Sequence, residues 1–314
     1  LEEDGTVHAT APLAVRTPPL PSNLPGLQSV HAQPERMEPG VTLCTILRWE
    51  SDAASLTEGW FVMVDEAGEV VWYIQLPEPA GAIQLLANGN FLYLHGAQPT
   101  GLREMDPLGN VVRQYRATGT GIRPRPGEIE VDVDTFHHDC APIPGGNILV
   151  LTTEVRRIDL YPASESRPDR RAPANVVGDV IVELRPDGSI AGRWPLLDIL
   201  DPMRIGYGSL DSFWDLRAYP FVPGGTRDWS HCNSVILHPQ DDALVVCLRH
   251  QDAVVKFDRK TREVDWILGV RDGWREPWAG KLLRPAPGVE FPFHAHGVKY
   301  SPRGTLLLFD NGNC

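Results

Sequence analysis

Two short frames recur along this chain and restrict it to a β-rich fold built from repeats. One reads x-Pro-x-Gly-Asn-x-Leu-x-Leu. It stands at 143–151, more loosely at 302–308 and, without the proline, at 86–94. The other reads Asp-x-x-Gly-x-Val, at 65–70 and 106–111, with a looser version at 185–190 ending in Ile190. Each places Gly, Asn or Asp between β-rich stretches, which is how a strand, a tight turn and a second strand are written. Hairpins are expected around 65–68, 88–90, 107–110, 144–147, 186–188, 239–242, 258–261 and 302–304. Long helical periodicity is missing, and the best helix candidate is a short piece at 272–283. Joined together, the frames make a four-stranded unit of about 40–50 residues, the period of a β-propeller blade. A sandwich or a single barrel would not repeat at that distance.

About four units and two strands of a further one can be placed before Asp310. An unclosed ring leaves strand edges exposed. The propeller is therefore expected to be incomplete at the C-terminus, to be closed by strands from 41–75, or to belong to a longer protein. Two stretches, 154–178 and 196–228, are too long for turns and read as covers or mobile segments. Residues 1–40, with Pro12, Pro18, Pro19, Pro21 and Pro25, read as an extended arm or the remnant of an N-terminal domain, and 41–314 as the propeller. The 29 Gly and 29 Pro are spread along the chain, which excludes collagen and low-complexity disorder. The net charge of −12 argues against nucleic acid or an anionic membrane as partner. No apolar run of about 18 residues is present to span a bilayer. The chain begins at Leu1 with no signal segment, so any leader was removed or lies outside it. Cys44, Cys140, Cys232, Cys247 and Cys314 show no CxxC spacing; most read as small buried hydrophobes, with one or two bridges left open.

The turn prolines register the chemistry. Six residues before Pro144, Pro239 and Pro302 stand His138, Asn233 and His296; eight before stand Phe136, His231 and His294. Residues two apart in a strand share a face. His138, His231, Asn233, His294 and His296 are thus expected to enter equivalent first strands from one end and to converge on the central channel. His137 and His250 lie beside members of this set, and Arg249 follows an apolar run where a guanidinium could hold an anion bidentately. His8, His31, His95 and His238 fit no such register and read as ordinary core or rim residues.

The motifs Phe136-His137-His138-Asp139, Asp228-Trp229-Ser230-His231-Cys232-Asn233-Ser234, Leu248-Arg249-His250-Gln251-Asp252-Ala253-Val254 and Phe309-Asp310-Asn311-Gly312 resemble those of bacterial arylsulfate sulfotransferases. So does the run from Trp274 to Leu283 leading to His296. The similarity extends from about Pro39 to the C-terminus, in order. It implies a six-bladed propeller working in the periplasm or outside the cell. The implied activity moves a sulfuryl group from an aryl sulfate donor to a phenolic acceptor, by a ping-pong route through a sulfated histidine. Neither a nucleotide sulfate donor, a cofactor nor a metal is implied, and a homodimer is left open. Carried over by position, His296 is the nucleophile, while His138 (or its neighbour His137), His231, Asn233 and Arg249 hold the sulfuryl oxygens. His137, His294 and His250 are placed around the substrate. The sequence departs from the family in Phe293-His294-Ala295-His296, where a Gln-His pair is usual, so His294 competes for the nucleophile's role or for a metal shared with His296. Two other readings stay open. One is a metal-dependent propeller using His138, His231, His294 and His296; the other is a propeller that only binds a partner.

Overall fold

The computed structural model describes residues 19–29, 33–37, 39–49, 56–96, 101–119, 121–167, 169–301 and 303–312. His8, His31, Pro12, Pro18, Pro302 and Cys314 lie outside the described residues.

Hydrophobic runs alternate with turns, and each run becomes a strand paired to the next. The first sheet joins β1 (Thr42–Trp49), β2 (Leu56–Val64) and β3 (Val70–Leu76). The second runs β4 (Ala80–Leu85), β5 (Phe91–His95), β6 (Gly101–Met105) and β7 (Val111–Ala117), with β8 (Ile129–Val131) added in parallel. The third is β9 (His137–Pro142), β10 (Ile148–Pro162), β11 (Arg171–Leu184) and β12 (Ile190–Pro195), with β13 (Arg227–Asp228) against β11. The fourth is β14 (Cys232–Leu237), β15 (Ala243–Leu248), β16 (Ala253–Asp258) and β17 (Val264–Gly269). A hairpin of β18 (His296–Tyr300) and β19 (Leu306–Phe309) follows.

Consecutive sheets stack face to face, and the alternation of side chains along one strand shows how. Leu149 and Leu151 of β10 pack with Ile181 toward Val246, Val255 and Phe257 of the fourth sheet. Val150, between them, packs with Val180 and Val182 toward Leu92, Leu102 and Tyr115 of the second. A strand buried on both faces must be apolar throughout, which is why this stretch reads as continuous Ile-Leu-Val-Leu. Phe61, Leu76, Phe91 and Tyr93 join the first two sheets, and Ala295 and Val298 join the last hairpin to Val245 and Val254. β1, β4, β9, β14 and β18 lie side by side at the centre.

The architecture is all-β and propeller-like, but it has four blades where six were expected. Among the described residues only one α-helix occurs, α1 (Leu196–Ile199). The shortfall has a physical source. β10 and β11 are 15 and 14 residues long and run past their blade as an arm, so 154–178 is mostly strand rather than cover. The excursion from α1 to β13 takes up a further stretch without building a blade. The 272–283 piece is a short 3-10 turn at Trp278–Lys281 and no α-helix. The 196–228 excursion is a cover as expected. Ser209 Oγ and Gln251 Nε2 both donate to Trp229 O, at 2.9 and 2.7 Å, and Trp229 Nε1 donates to Arg204 O at 2.8 Å.

Gly206 shows how tightly that cover sits. A Cβ there would lie 2.1 Å from the His250 carbonyl oxygen, a backbone atom that cannot step aside alone. Gly206→Ala is expected to cost about 1–3 kcal/mol, as overpacking does in close-packed interiors. Chemical denaturation of the purified variant measures it, and an unchanged midpoint would show that the cover is looser than drawn.

Candidate functional site

Four of the five inner strands, β4, β9, β14 and β18, enter the centre through an irregularity. Ala82, His138, His231 and His294 hold φ of 53°, 54°, 47° and 53°, the left-handed region that residues with a Cβ rarely occupy. A bulge accompanies each: register shifts fall between Gly81 and Gln84, between His137 and Cys140, between Cys232 and Ser234, and between His296 and Lys299. Backbone strain of this kind persists only where the surroundings enforce it. It corrects the simple alternation expected from sequence, because a kinked strand does not keep residues two apart on one face. His231 turns its ring into the centre, whereas Asn233 turns to the backbone of the next strand.

The rings of His138, His231 and His296 converge. Ring centroids are 4.8 Å apart for His138 and His231, and 6.5 Å for His138 and His296. His250 stacks on the far side of His231 at 4.6 Å. Phe213 from the excursion caps the group, 4.7 Å from His231. An apolar groove walled by Leu47, Ala80, Ala82, Leu94 and Gly96 opens onto His138. A larger cavity lies elsewhere, at the turn end of the inner strands, between Ile143, Pro239 and Tyr300, and touches none of these histidines.

Hydrogen bonds bear on which nitrogen of each ring is bare. His296 Nδ1 lies 2.9 Å from His294 O, which favours a proton on Nδ1 and a lone pair on Nε2, and 2.8 Å from Asn311 Nδ2, a donor that favours the opposite tautomer. Asn311 Nδ2 donates to the same carbonyl at 2.8 Å. Burial, the neighbouring imidazoles and the Arg249 guanidinium together hold His296 below the ordinary imidazole range. His231 Nδ1 donates to Asp228 Oδ2, and His250 Nδ1 donates to Asp228 O at 2.7 Å. Asp228 Oδ1 in turn accepts from Trp214 Nε1 at 3.0 Å. Burial opposes ionisation of Asp228, yet the hydrogen bond and charge of His231 outweigh it and keep the carboxyl below its usual range.

His137 was expected beside the substrate, and the structure sets it back from the groove. It is fully buried behind His138, with Nε2 3.2 Å from Thr152 O and Nδ1 2.9 Å from His138 Nδ1. Burial lowers its pKa to about 4, so the ring is neutral at pH 7. The Thr152 carbonyl accepts a hydrogen bond from Nε2–H, which leaves Nδ1 to accept from His138 Nδ1. His138 then also presents a bare Nε2, and burial among four imidazoles drives its pKa well below the ordinary range. His294 is drawn aside: its Nδ1 is 3.0 Å from Asp252 Oδ1, and its ring rests on Tyr207. It takes no place among the converging rings, which removes one ligand from the four-histidine metal set. Asp228, His231 and His250 do bring one ligand-type atom each within 4.8 Å of one another, but the Nδ1 atoms of both histidines are already engaged by Asp228 itself.

Asn233 is tied into the neighbouring inner strand. Its Nδ2 donates to Ala295 O at 2.8 Å and its Oδ1 accepts from Gly297 N at 3.2 Å, bracketing His296. Among the described residues the Arg249 guanidinium has no hydrogen-bond or ion-pair partner, at the start of the 3-10 turn Arg249–Gln251 beside His231 O. Asp228, Thr152, Asn311 and Asp179 carry the histidines and were given no role from sequence. Asp228 did leave a signal, an acidic residue three before His231. Asp179 left another, a lone charge inside the apolar run from Val176 to Val182.

The free thiols of Cys140, Cys232 and Cys247 are buried and that of Cys44 is half-buried. No helix among the described residues is long and apolar enough to cross a membrane.

A family model described as arylsulfotransferase (ASST) matches residues 27–314. Arylsulfate sulfotransferase AssT of Escherichia coli O6:H1 is 28% identical over 213 residues, covering 56% of this chain and 34% of that protein. The protein of the same name from Lelliottia amnigena is 28% identical over 176 residues, covering 44% of this chain and 29% of that protein. The chain thus spans about a third of the length of these relatives. Among solved structures, a protein of unknown function from Bacteroides caccae aligns with a TM-score of 0.42 at 12% identity, over 82% of this chain and 65% of that one. At that score the likeness says nothing about chemistry.

Proposed function

This chain belongs to the arylsulfotransferase family, whose model it matches from residue 27 to 314, and from that premise we propose that it moves a sulfuryl group from an aryl sulfate to a phenol through His296. The observation that carries the reading is the His296 ring itself, which converges with His138 and feels the Arg249 charge. In the tautomer that donates from Nδ1 to His294 O, its Nε2 is bare and uncharged, ready to attack.

The steps follow from that arrangement. His296 Nε2 attacks sulfur, the S–O bond to the aryl group breaks, and the phenolate leaves. The His294 carbonyl then supports the positive charge on the sulfated ring. A covalent intermediate divides one difficult transfer into two. An acceptor phenol gives its proton to a bare imidazole, attacks sulfur, and returns the electron pair of the N–S bond to His296. Charge builds on the sulfuryl oxygens in both steps, so fixed donors aimed at them carry most of the rate. Arg249 and the second N–H of the Asn233 amide are the candidates. His231 joins them once a proton reaches its Nε2, because the Asp228 carboxylate on Nδ1 stabilises that imidazolium. The local cation also offsets the repulsion of an anionic donor by a chain of net charge −12. The apolar groove beside His138 suits an aryl ring, and the reaction belongs, as the resemblance implies, outside the cytoplasm.

Incubated with 4-nitrophenyl sulfate, the purified chain is expected to release nitrophenol, faster when phenol is added. Mass spectrometry after donor alone is expected to find a sulfuryl adduct on His296. No release under either condition would sink the assignment, and an adduct on another side chain would move the nucleophile.

A further inference from the structure

Asp179 sits in the middle of β11 with nothing in the proposed chemistry to justify a carboxylate there. It is 2% exposed, and its Oδ2 accepts from Ser230 Oγ and, at 2.7 Å, from Cys232 N. Its Oδ1 is buried and accepts no hydrogen bond among the described residues, yet His137 Nε2 lies 3.3 Å away. The Nε2–H of His137 points instead at Thr152 O, 3.2 Å off. A buried carboxylate oxygen without a donor is costly unless something reaches it.

Resting on the sulfotransferase reading, we propose that His138, His137 and Asp179 form a buried proton relay that takes the acceptor phenol's proton. The chain of atoms is continuous: His138 Nε2 at the groove, His138 Nδ1 against His137 Nδ1 at 2.9 Å, and His137 Nε2 against Asp179 Oδ1 at 3.3 Å. As the phenol oxygen bonds to sulfur and the N–S bond to His296 breaks, the phenol proton passes to His138 Nε2. The proton on His138 Nδ1 passes to His137 Nδ1, and the one on His137 Nε2 passes to Asp179 Oδ1. Each ring ends neutral in its other tautomer, and the carboxylate ends as a carboxylic acid. In the donor half the same shifts run backwards and protonate a leaving phenolate that needs it, so the relay is reset each cycle.

Charge explains why a relay is preferred to a single base. A proton held on His138 alone makes an imidazolium among four other histidines, where burial and their fields oppose it. A proton delivered to Asp179 removes a buried charge instead of creating one. Burial first, and then the charge of Asp228, raise the Asp179 carboxyl to about 7, opposed by the Ser230 and Cys232 hydrogen bonds and by His231. Tyr219 and the Cys232 thiol complete the titratable groups facing it. A proton acceptor of that strength is matched to work near neutral pH.

Asp179 acts through His137 and His138, so it is a positioning and relay residue, and the test separates the two halves of the reaction. Asp179→Asn is expected to keep the burst of nitrophenol from 4-nitrophenyl sulfate, whose leaving group needs no proton. Transfer to phenol should slow about 10- to 100-fold, the scale of a lost acid–base partner. Transfer to an acceptor already ionised at the assay pH should be unchanged, and the rise of the phenol rate with pH near 7 should vanish. In the unmodified chain, infrared difference spectra between the sulfated and discharged protein should show a buried carboxylic acid band on discharge. A normal phenol rate in the variant, equal loss with both acceptors, or no carboxylic acid band overturns the relay. Absence of any burst in the unmodified chain overturns the sulfotransferase reading itself, a separate result.

Discussion

Replacing His296 by Ala is expected to abolish both nitrophenol release and the sulfuryl adduct, a loss of roughly 10³-fold or more in kcat, as removal of a covalent nucleophile does. The size follows from the ring's environment. Six imidazoles lie at or beside the centre, but their bare nitrogens are not equivalent. His137 is sealed from the groove, His250 is stacked behind His231, and His294 is turned onto Asp252. His138 and His231 have their Nδ1 atoms committed to His137 and to the Asp228 carboxylate. His296 instead joins the converging rings with its Nδ1 against the neutral His294 carbonyl, the Arg249 charge acting on it and Asn233 bracketing it. The same environment sets the pH response. A proton on Nε2 blocks attack, and the ring's pKa is lowered, so the bare form persists through the ordinary imidazole range. The burst rate should therefore hold steady from neutral pH downward and fall only below the range of a free histidine. A burst that instead fell through pH 6.5 would show that the nucleophile is a different, unperturbed ring.

Much of the fold was legible because local turn chemistry is legible. The turns at Asp65–Gly68, Pro144–Asn147 and Pro186–Gly188 are where the Gly, Asn and Asp frames put them, each closed by a backbone hydrogen bond. The number of blades was not, because nothing local distinguishes a strand that ends at its blade from one that runs on, as β10 and β11 do to Pro162 and from Arg171. The convergence of His138, His231 and His296 could be read from their matched places before the turns. The orientation of each ring could not. It depends on left-handed backbone at His138, His231 and His294, and that depends on neighbours distant in sequence. Thr152 is 15 residues from His137, and Asp179 is 42. Asn233 reaches Ala295 across 62 positions, so a residue read as a sulfuryl contact also positions the nucleophile's strand.

Asp228→Asn is expected to lower kcat/KM for 4-nitrophenyl sulfate by about 10²–10⁴, the scale seen when the carboxylate behind a working histidine becomes an amide. Asp228 is 1% exposed, and it holds Trp214 Nε1 at 3.0 Å through one oxygen and His231 Nδ1 through the other. Asn has nearly the same shape and can keep one of these bonds, so the thermal midpoint should change far less than the rate. The chemical consequence falls on His231. An amide presents no negative charge to Nδ1, so the imidazolium that would grip the sulfuryl oxygens through Nε2–H loses its support. Microscopic reversibility decides how this deficit should look. Both aryl oxygens, leaving and entering, occupy the side of sulfur opposite His296, so a single acid–base group serves both, and His138 with its groove is that group. His231 then acts on charge that develops whatever the aryl group is. The loss in Asp228→Asn should accordingly be nearly the same for 4-nitrophenyl sulfate and for phenyl sulfate. The Asp179 variant differs, because its deficit should grow with the basicity of the aryl oxygen. If the Asp228→Asn loss grew in the same way, His231 would be the acid–base group and the division of labour between the two buried carboxylates would be reversed.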